Sequence, residues 1–297
     1  MRRYNFGATI LGTVAAAFIA MLGAEARADV TAYDWVPKDQ KEFISSPEYI
    51  QTVALSGAPM QIWEALEHGE RVECLACIPI VAPLMYSENA QNREIAAWWL
   101  RRRIIGVFGP GQVYEQTLKT LASDGNPQRR AYAASAIGEF LLSAGITPLA
   151  HALTHDSDAT VRAYAATALG RINDDGGGAL GQSMGDADAG VKVAALTAAT
   201  RINSFTDVVA VTKTLSDSSA LVRRRAAMLL DQMHAVDAGP ALVQLALKDS
   251  DVDVRIAACH ALGDIGDTGA QGALTGIAAN DPSSLVRDMA AIALQQL

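Results

Sequence analysis

Aromatic residues are scarce in this chain, at 6% of its 297 positions, and it holds only three cysteines. Few rings and abundant alanine point to tightly packed helices rather than sheets. Three cysteines allow at most one bond within the chain, so no disulfide framework holds the fold. An excess of positive charge is also lacking. The formal net charge is −8, and an acidic chain repels the phosphates of nucleic acid, which is therefore excluded as a partner. No serine nucleophile elbow, phosphate-cradling glycine loop or paired-carboxylate signature is found. Gly176-Gly177-Gly178 follows no strand and reads as a turn between helices. The expectation is a non-enzymatic protein without cofactor or metal.

The only long uncharged stretch is at the start. Arg2 and Arg3 precede an uncharged run from Tyr4 to Ala24, which closes on Ala26-Arg27-Ala28. A basic end, an apolar middle and a small-x-small finish have the order of a secretory signal peptide. The run is also long enough for an uncleaved anchor, but its Ala-x-Ala end favours cleavage after Ala28. Export to a periplasm follows, with no stable membrane span after processing. The leader carries a net +2, which leaves the mature chain at −10.

What is present is a repeat. Asp156, Asp186, Asp217, Asp249 and Asp281 each open a segment in which Val comes five residues later and Arg or Lys six later. A weaker copy starts at Asp124. The basic anchors Arg130, Arg162, Lys192, Arg223, Arg255 and Arg287 are spaced by 32, 30, 31, 32 and 32 residues. Three residues after each anchor stands Ala133, Ala165, Ala195, Ala226, Ala258 or Ala290. Apolar residues at −1, +3, +7 and +10 advance by 4, 4 and 3, which is one stripe of an α-helix. Alanine at +3 lets two helices approach where leucine would overpack. Shorter apolar segments lie between these helices, at Thr147–Thr154, Asp207–Leu215, Pro240–Leu247 and Ala270–Ala278. Each unit is thus helix, turn, helix, and a single pair cannot bury its stripe without stacked neighbours. Each aspartate stands where an N-cap would satisfy free amides. The basic anchor in the first turn is poorly placed for the helix dipole, so it is expected to pair with the aspartate of its own or an adjacent repeat. Asp156/Arg162, Asp186/Lys192, Asp217/Arg223, Asp249/Arg255 and Asp281/Arg287 form this structural ladder.

These D-x-x-x-x-V-R-x-x-A-x-x-x-L units resemble bacterial HEAT repeats of the phycobilisome-lyase type, over about residues 124–297. The resemblance implies an all-α fold, a right-handed α-α superhelix used for binding. It does not imply lyase activity, because bilin chemistry belongs to the cytoplasm and this chain is read as exported.

The expected organisation is a leader over 1–28, a helical cap over 29–123 and a solenoid of about six units over 124–297. Helices are expected in the cap near Pro47–Leu55, Pro59–His68 and Gln112–Ser123, with Gly109-Pro110-Gly111 as a break. Glu70–Ser87 and Asn89–Phe108 read as a diverged helix pair, anchored on Arg93 with Ala96 at +3 and Leu100 at +7, but with Arg103 at +10. The repeats run to Leu297 with no polar capping helix after them, an edge for solvent or a partner to cover.

Candidate binding residues follow from position. The second helix of each pair usually lines the inner face of such a stack. Its +5 position carries Thr167, Thr197, Met228 and His260 in successive repeats. In the diverged pair the inner row reads Glu94, Trp98 and Arg102. All four tryptophans fall in the first 100 residues, and Trp and Arg are common interface anchors, although rings also serve as core. Trp98 and Trp99 point about 100° apart on a helix, so one of them is expected to line a cleft or meet a partner. Cys74-Leu75-Ala76-Cys77 shows no thioredoxin-like frame, and Ile78 stands where haem attachment needs histidine. A local disulfide or two packed thiols is the simpler reading of Cys74 and Cys77, with redox or metal chemistry as the alternative. His151 and His155, four apart, have metal-compatible spacing without a third ligand. The partner is expected to be a protein held as on an adaptor; the alternative is an apolar small molecule, such as a lipid or a sterol- or hopanoid-like compound.

Overall fold

The structure, a computed structural model, describes residues 42–105 and 111–297. The leader, its cleavage point, Trp35 and the Gly109-Pro110 break lie outside the described residues. Among the described residues there is no strand, and the helices form an α-α superhelix.

After helical residues at 42–44 come two short helices, α1 (Pro47–Ser56) and α2 (Pro59–His68). Proline stands in the first turn of each, where its missing N–H would have no partner anyway. The Ser46 hydroxyl accepts from the Tyr49 N–H at 3.1 Å and caps α1. The expected first helix of the diverged pair does not form as one element. Its span is a chain of 3-10 turns at Gly69–Arg71, Leu75–Cys77 and Ala82–Tyr86 around the four-residue α3 (Ile78–Val81). Pro79 and Pro83 start new turns and interrupt a longer helix by lacking N–H donors. The second member of the pair is α4 (Ala90–Ile105).

Regular pairs follow: α5 (Gln112–Ser123) with α6 (Pro127–Phe140), α7 (Ile146–His155) with α8 (Ala159–Ile172), and α9 (Gly177–Ser183) with α10 (Ala189–Ala199). Then come α11 (Val208–Thr214) with α12 (Ala220–Gln232), α13 (Gly239–Lys248) with α14 (Val252–Ile265), and α15 (Gln271–Asn280) with α16 (Ser284–Gln296). The sequence stripe is the core. Every −1 valine from Val161 to Val286 and every +3 alanine from Ala133 to Ala290 is fully buried. One apolar cluster runs from Leu121 to Ala293, and a second, aromatic-rich one joins α1–α4 to Tyr114 and Phe140.

The second helices stack directly on one another, and α4 continues their row onto α6. First helices meet their successors much more sparsely, so the second-helix row lies inside the curve of the stack. Glycine eight residues after the anchor permits the approach. A Cβ on Gly138 would lie 2.8 Å from Ala168 Cα, one on Gly170 2.8 Å from Ala198 Cα, and one on Gly263 2.8 Å from Ala293 Cα. The α10 unit departs from this plan. It carries Lys192 for arginine and Thr200 for that glycine, and its helix ends early, at Ala199. After the second helices on either side of it the chain takes a left-handed residue at the +11 position, Asn173 as the cap of α8 and His234 just past the Met233 cap of α12.

Candidate functional site

The basic anchors from Arg130 to Arg255 form a continuous ladder in which each reaches the aspartate of the following repeat, whereas Arg287 in the last unit binds carbonyls of its own repeat. The Arg130 Nε and Nη2 both donate to Asp156 at 2.7 Å. Arg162 donates to Asp186 at 2.7 and 2.9 Å, Arg223 to Asp249 at 2.6 and 2.8 Å, and Arg255 to Asp281 at 2.9 and 3.0 Å. Lys192 meets Asp217 with its single ammonium. Each arginine's Nη1 also donates to the main-chain carbonyl of its own repeat's aspartate: Arg162 to Asp156 at 2.9 Å, Arg223 to Asp217 at 2.8 Å, Arg255 to Asp249 at 2.8 Å and Arg287 to Asp281 at 2.6 Å. One guanidinium therefore ties two successive repeats, using the planar donor fork that lysine lacks.

The repeat aspartates are not N-caps, contrary to the sequence expectation. Asp156, Asp249 and Asp281 close the preceding helix, and the N-cap lies two residues on. Asp158, Asp188 and Asp251 fill that place with side-chain oxygens that accept helix N–H groups. The ladder carboxylates have another use, since each accepts from the N–H two residues later as well as from the neighbouring cation. Burial by itself would raise these carboxyls. The bond from the cation and the one from that N–H outweigh it, and Asp156, Asp186, Asp217, Asp249 and Asp281 sit below the usual carboxylate value. With its charges engaged internally, the ladder is structural.

The inner row is different. Glu94 and Thr167 come together with Ser135 in a cleft of about 240 Å³ spanning α4, α6 and α8. Met228 and His260 come together with Arg224 and Asp231 in a second cleft, of about 450 Å³, between α12 and α14. Glu94, Thr167, Met228 and His260 are exposed, and Thr197 is half-buried on α10 between the clefts. The Thr167 hydroxyl donates to its own helix, to Ala163 O at 3.0 Å. His260 Nδ1 lies 3.2 Å from Asp231 and 3.7 Å from Asp264. Burial raises the Asp231 carboxyl despite that histidine.

The aromatic end needs correction. Trp99 is fully buried, so it presents nothing to a partner. Its Nε1 donates to Gly69 O at 3.0 Å, a bond that satisfies the one polar atom of a buried indole. Trp98 is half-buried against the same core. Arg102 is exposed, 3.8 Å from Glu70. Neither Trp98 nor Arg102 lines the two clefts just described.

Sequence reasoning missed the key residue of this end, Arg103. It is buried, its guanidinium carbon lies 3.2 Å from the centre of the Trp99 ring, and it donates to the carbonyls of Trp99, Gly69, Glu70 and Val72. Burial, helped by the charge of Arg102, pushes it down to about 10. The available signal was a cation at +10, where the regular repeats place Phe140, Ile172 or Ile265. Cys74 and Cys77 form a disulfide with Cα atoms 5.2 Å apart, both buried. Cys259 is a free thiol in the core, pushed up to about 12 by burial. His151 and His155 stack their rings 4.5 Å apart. Among the described residues no helix is long and apolar enough to cross a membrane.

Comparison with known proteins agrees with the repeat geometry. The family model for HEAT repeats matches residues 114–198 and 208–295. The chain belongs to the HEAT-repeat family. The gap between the two matches falls on the departure after α10. Among solved structures the chain is similar to YibA of Escherichia coli, at 15% identity and a TM-score of 0.57, over 92% of this chain and 100% of that one. It is similar to a chain of the Kap95p–RanGDP complex at 16% identity and a TM-score of 0.52, over 83% of this chain and 40% of that one. A chain of the CpcE–CpcF phycocyanin lyase complex from Nostoc sp. aligns at 20% identity and a TM-score of 0.40, over 76% of this chain and 97% of that one. At these identities the likeness is one of fold alone. No curated protein sequence matches the chain.

Proposed function

We propose that this HEAT-repeat protein is a non-enzymatic interaction scaffold of the periplasm, which holds a protein partner along its second-helix row. One observation carries the reading: the charges that recur in every repeat are engaged in the ladder, while the side chains that vary from unit to unit line clefts on the inner face. Glu94, Thr167, Met228 and His260 share no chemistry, as expected of a surface fitted to one partner rather than to a repetitive polymer. Export is supported by the basic, apolar and Ala-x-Ala order of residues 1–28.

A second reading, carriage of an apolar small molecule, is favoured by an open cleft of about 660 Å³ beside the proline-rich turns. Pro79, Pro83, Met85, Tyr86 and Val113 supply apolar lining, and Arg129 stands over the Tyr86 ring at 4.5 Å.

Native mass spectrometry of the protein, released without detergent from the cells that make it, separates the two. The scaffold reading expects an added mass of protein size that is lost in a Glu94→Lys, Met228→Glu double variant. An added small mass that extracts into organic solvent favours the carrier. A chain that flies bare in both forms contradicts both readings.

A further inference from the structure

The repeats serve as an internal reference for one another, and two departures from the pattern meet a third side chain at one point. At +8 of the anchor, where Gly138, Gly170 and Gly263 allow close packing, the α12 unit carries Asp231. At +5, where the first three repeats have Ser135, Thr167 and Thr197, the α14 unit carries His260. At +9 of that unit stands Asp264, in a register that holds Glu139, Arg171, Arg201, Gln232 and Gln296 elsewhere. One ligand atom from each of the three lies within 4.8 Å of the other two.

The spacing suits a metal ion. Two ligands bonded to zinc at about 2.0–2.1 Å and set tetrahedrally are separated by about 3.3 Å. His260 Nδ1 is 3.2 Å from Asp231 Oδ2 and 3.7 Å from Asp264 Oδ2. His260 and Asp264 are one helical turn apart on α14, and Asp231 faces them from α12. Gln296 on α16 donates its Nε2 to Asp264 Oδ1 at 2.6 Å. That bond holds the carboxylate with Oδ2 turned to the histidine, the outer-shell role that ligating carboxylates need. The side chain of Asp231 is 20% exposed and that of His260 48%, so an ion can enter from the inner-face cleft. Cys259, the neighbour in sequence, is buried in the core and is not part of the set.

We infer that Asp231, His260 and Asp264 form a divalent transition-metal site on the inner face, with zinc as the fitting ion. One imidazole and two carboxylates give three protein ligands, and the fourth position opens into the cleft beside Met228, for water or a donor atom of a bound molecule. The ion would cross-link two successive repeats at a register where the close glycine contact is missing.

The test is calorimetric titration of zinc into the full chain, stripped of metal, in a His151→Ala, His155→Ala background that removes the other histidine pair. Saturable binding of one equivalent is expected, with affinity lowered at least tenfold by His260→Ala and by Asp264→Asn. Zinc is also expected to raise the melting temperature of the parent and not of these variants. The replaced side chains are on the surface, and equal metal-free melting temperatures would show the variants folded. No saturable binding would overturn the site and leave only a His260–Asp231 contact in its place. Equal affinity in parent and variants would overturn it as well.

Discussion

The two ends of the molecule bury a cation on the same helical row by opposite means. In the repeats each ladder arginine from Arg130 to Arg255 meets a carboxylate of the next unit and a carbonyl of its own, and the motif recurs because the geometry recurs. In the cap Arg103 meets four carbonyls and a tryptophan face. Three of these carbonyls belong to the short turn at Gly69–Arg71 and to Val72 after it, where no long helix ladder runs, and the fourth is the Trp99 carbonyl one turn back on α4. The ladder therefore transmits order from unit to unit. The Arg103 hub instead fixes one irregular segment, with the Cys74–Cys77 disulfide beside it. The lesson concerns cooperativity: damage to the hub should be local to the cap, whereas damage to a rung should affect the units on both sides of it.

The largest effect is expected at the hub. Trp99→Ala removes a fully buried ring and the platform of Arg103, with a cost of about 3–5 kcal/mol. Hydrogen exchange should show the cap, residues 42–105, losing protection while α12–α16 keep theirs. Uniform loss across the chain would break the contrast between the ends.

A rung is expected to come next. Asp249 has a side chain only 4% exposed, and Asp249→Ala strands the Arg223 guanidinium, at a cost of about 2–3 kcal/mol. Protection should fall in α12 and α14 together. The same carboxylates set an acid limit. Their folded values lie below the unfolded ones, so their contribution is complete above the unfolded carboxylate value of about 3.9 and disappears as pH falls through the folded values. Melting curves should shift downward from about pH 5 to pH 3, and less steeply in Asp249→Ala, which has one titrating rung fewer.

The smallest effect sharpens the picture inside the array. Lys192→Arg should restore the two-pronged contact to Asp217 and the bond to its own repeat's carbonyl. A gain of about 0.5–1 kcal/mol is expected in denaturant unfolding. No gain would show that the α10–α12 junction is held apart by Thr200 and the early end of α10 rather than by the missing fork.

The legibility of these features follows the same divide. Residues that obey a period, such as the buried valines and alanines and the pairing cations, are readable from spacing alone, and the start of α5 from the Gly109-Pro110-Gly111 break before it. Spacing alone does not choose the rung partner between own and adjacent repeat, because one sequence contains both and only the stacking distance decides. The aspartate was misread as an N-cap because Asp158, two residues later, offers the same atoms. Trp99 and Trp98 could not be told apart by composition. Which of two neighbours on a helix faces the core depends on where the broken turns at Gly69–Tyr86 fold back, and no period describes those. Asp231 and His260 sit in neighbouring repeats and at different registers, so their meeting is visible only once the second helices are stacked.

Site-specific photo-crosslinking in the cells that make the protein tests the central claim, that the second-helix row is the binding face. A crosslinker at Thr167 or Met228 should capture one protein partner, in the same band, while one at Gln116 or Thr275 on the outer first helices should not. Capture at the outer positions, with none at the inner ones, would contradict it.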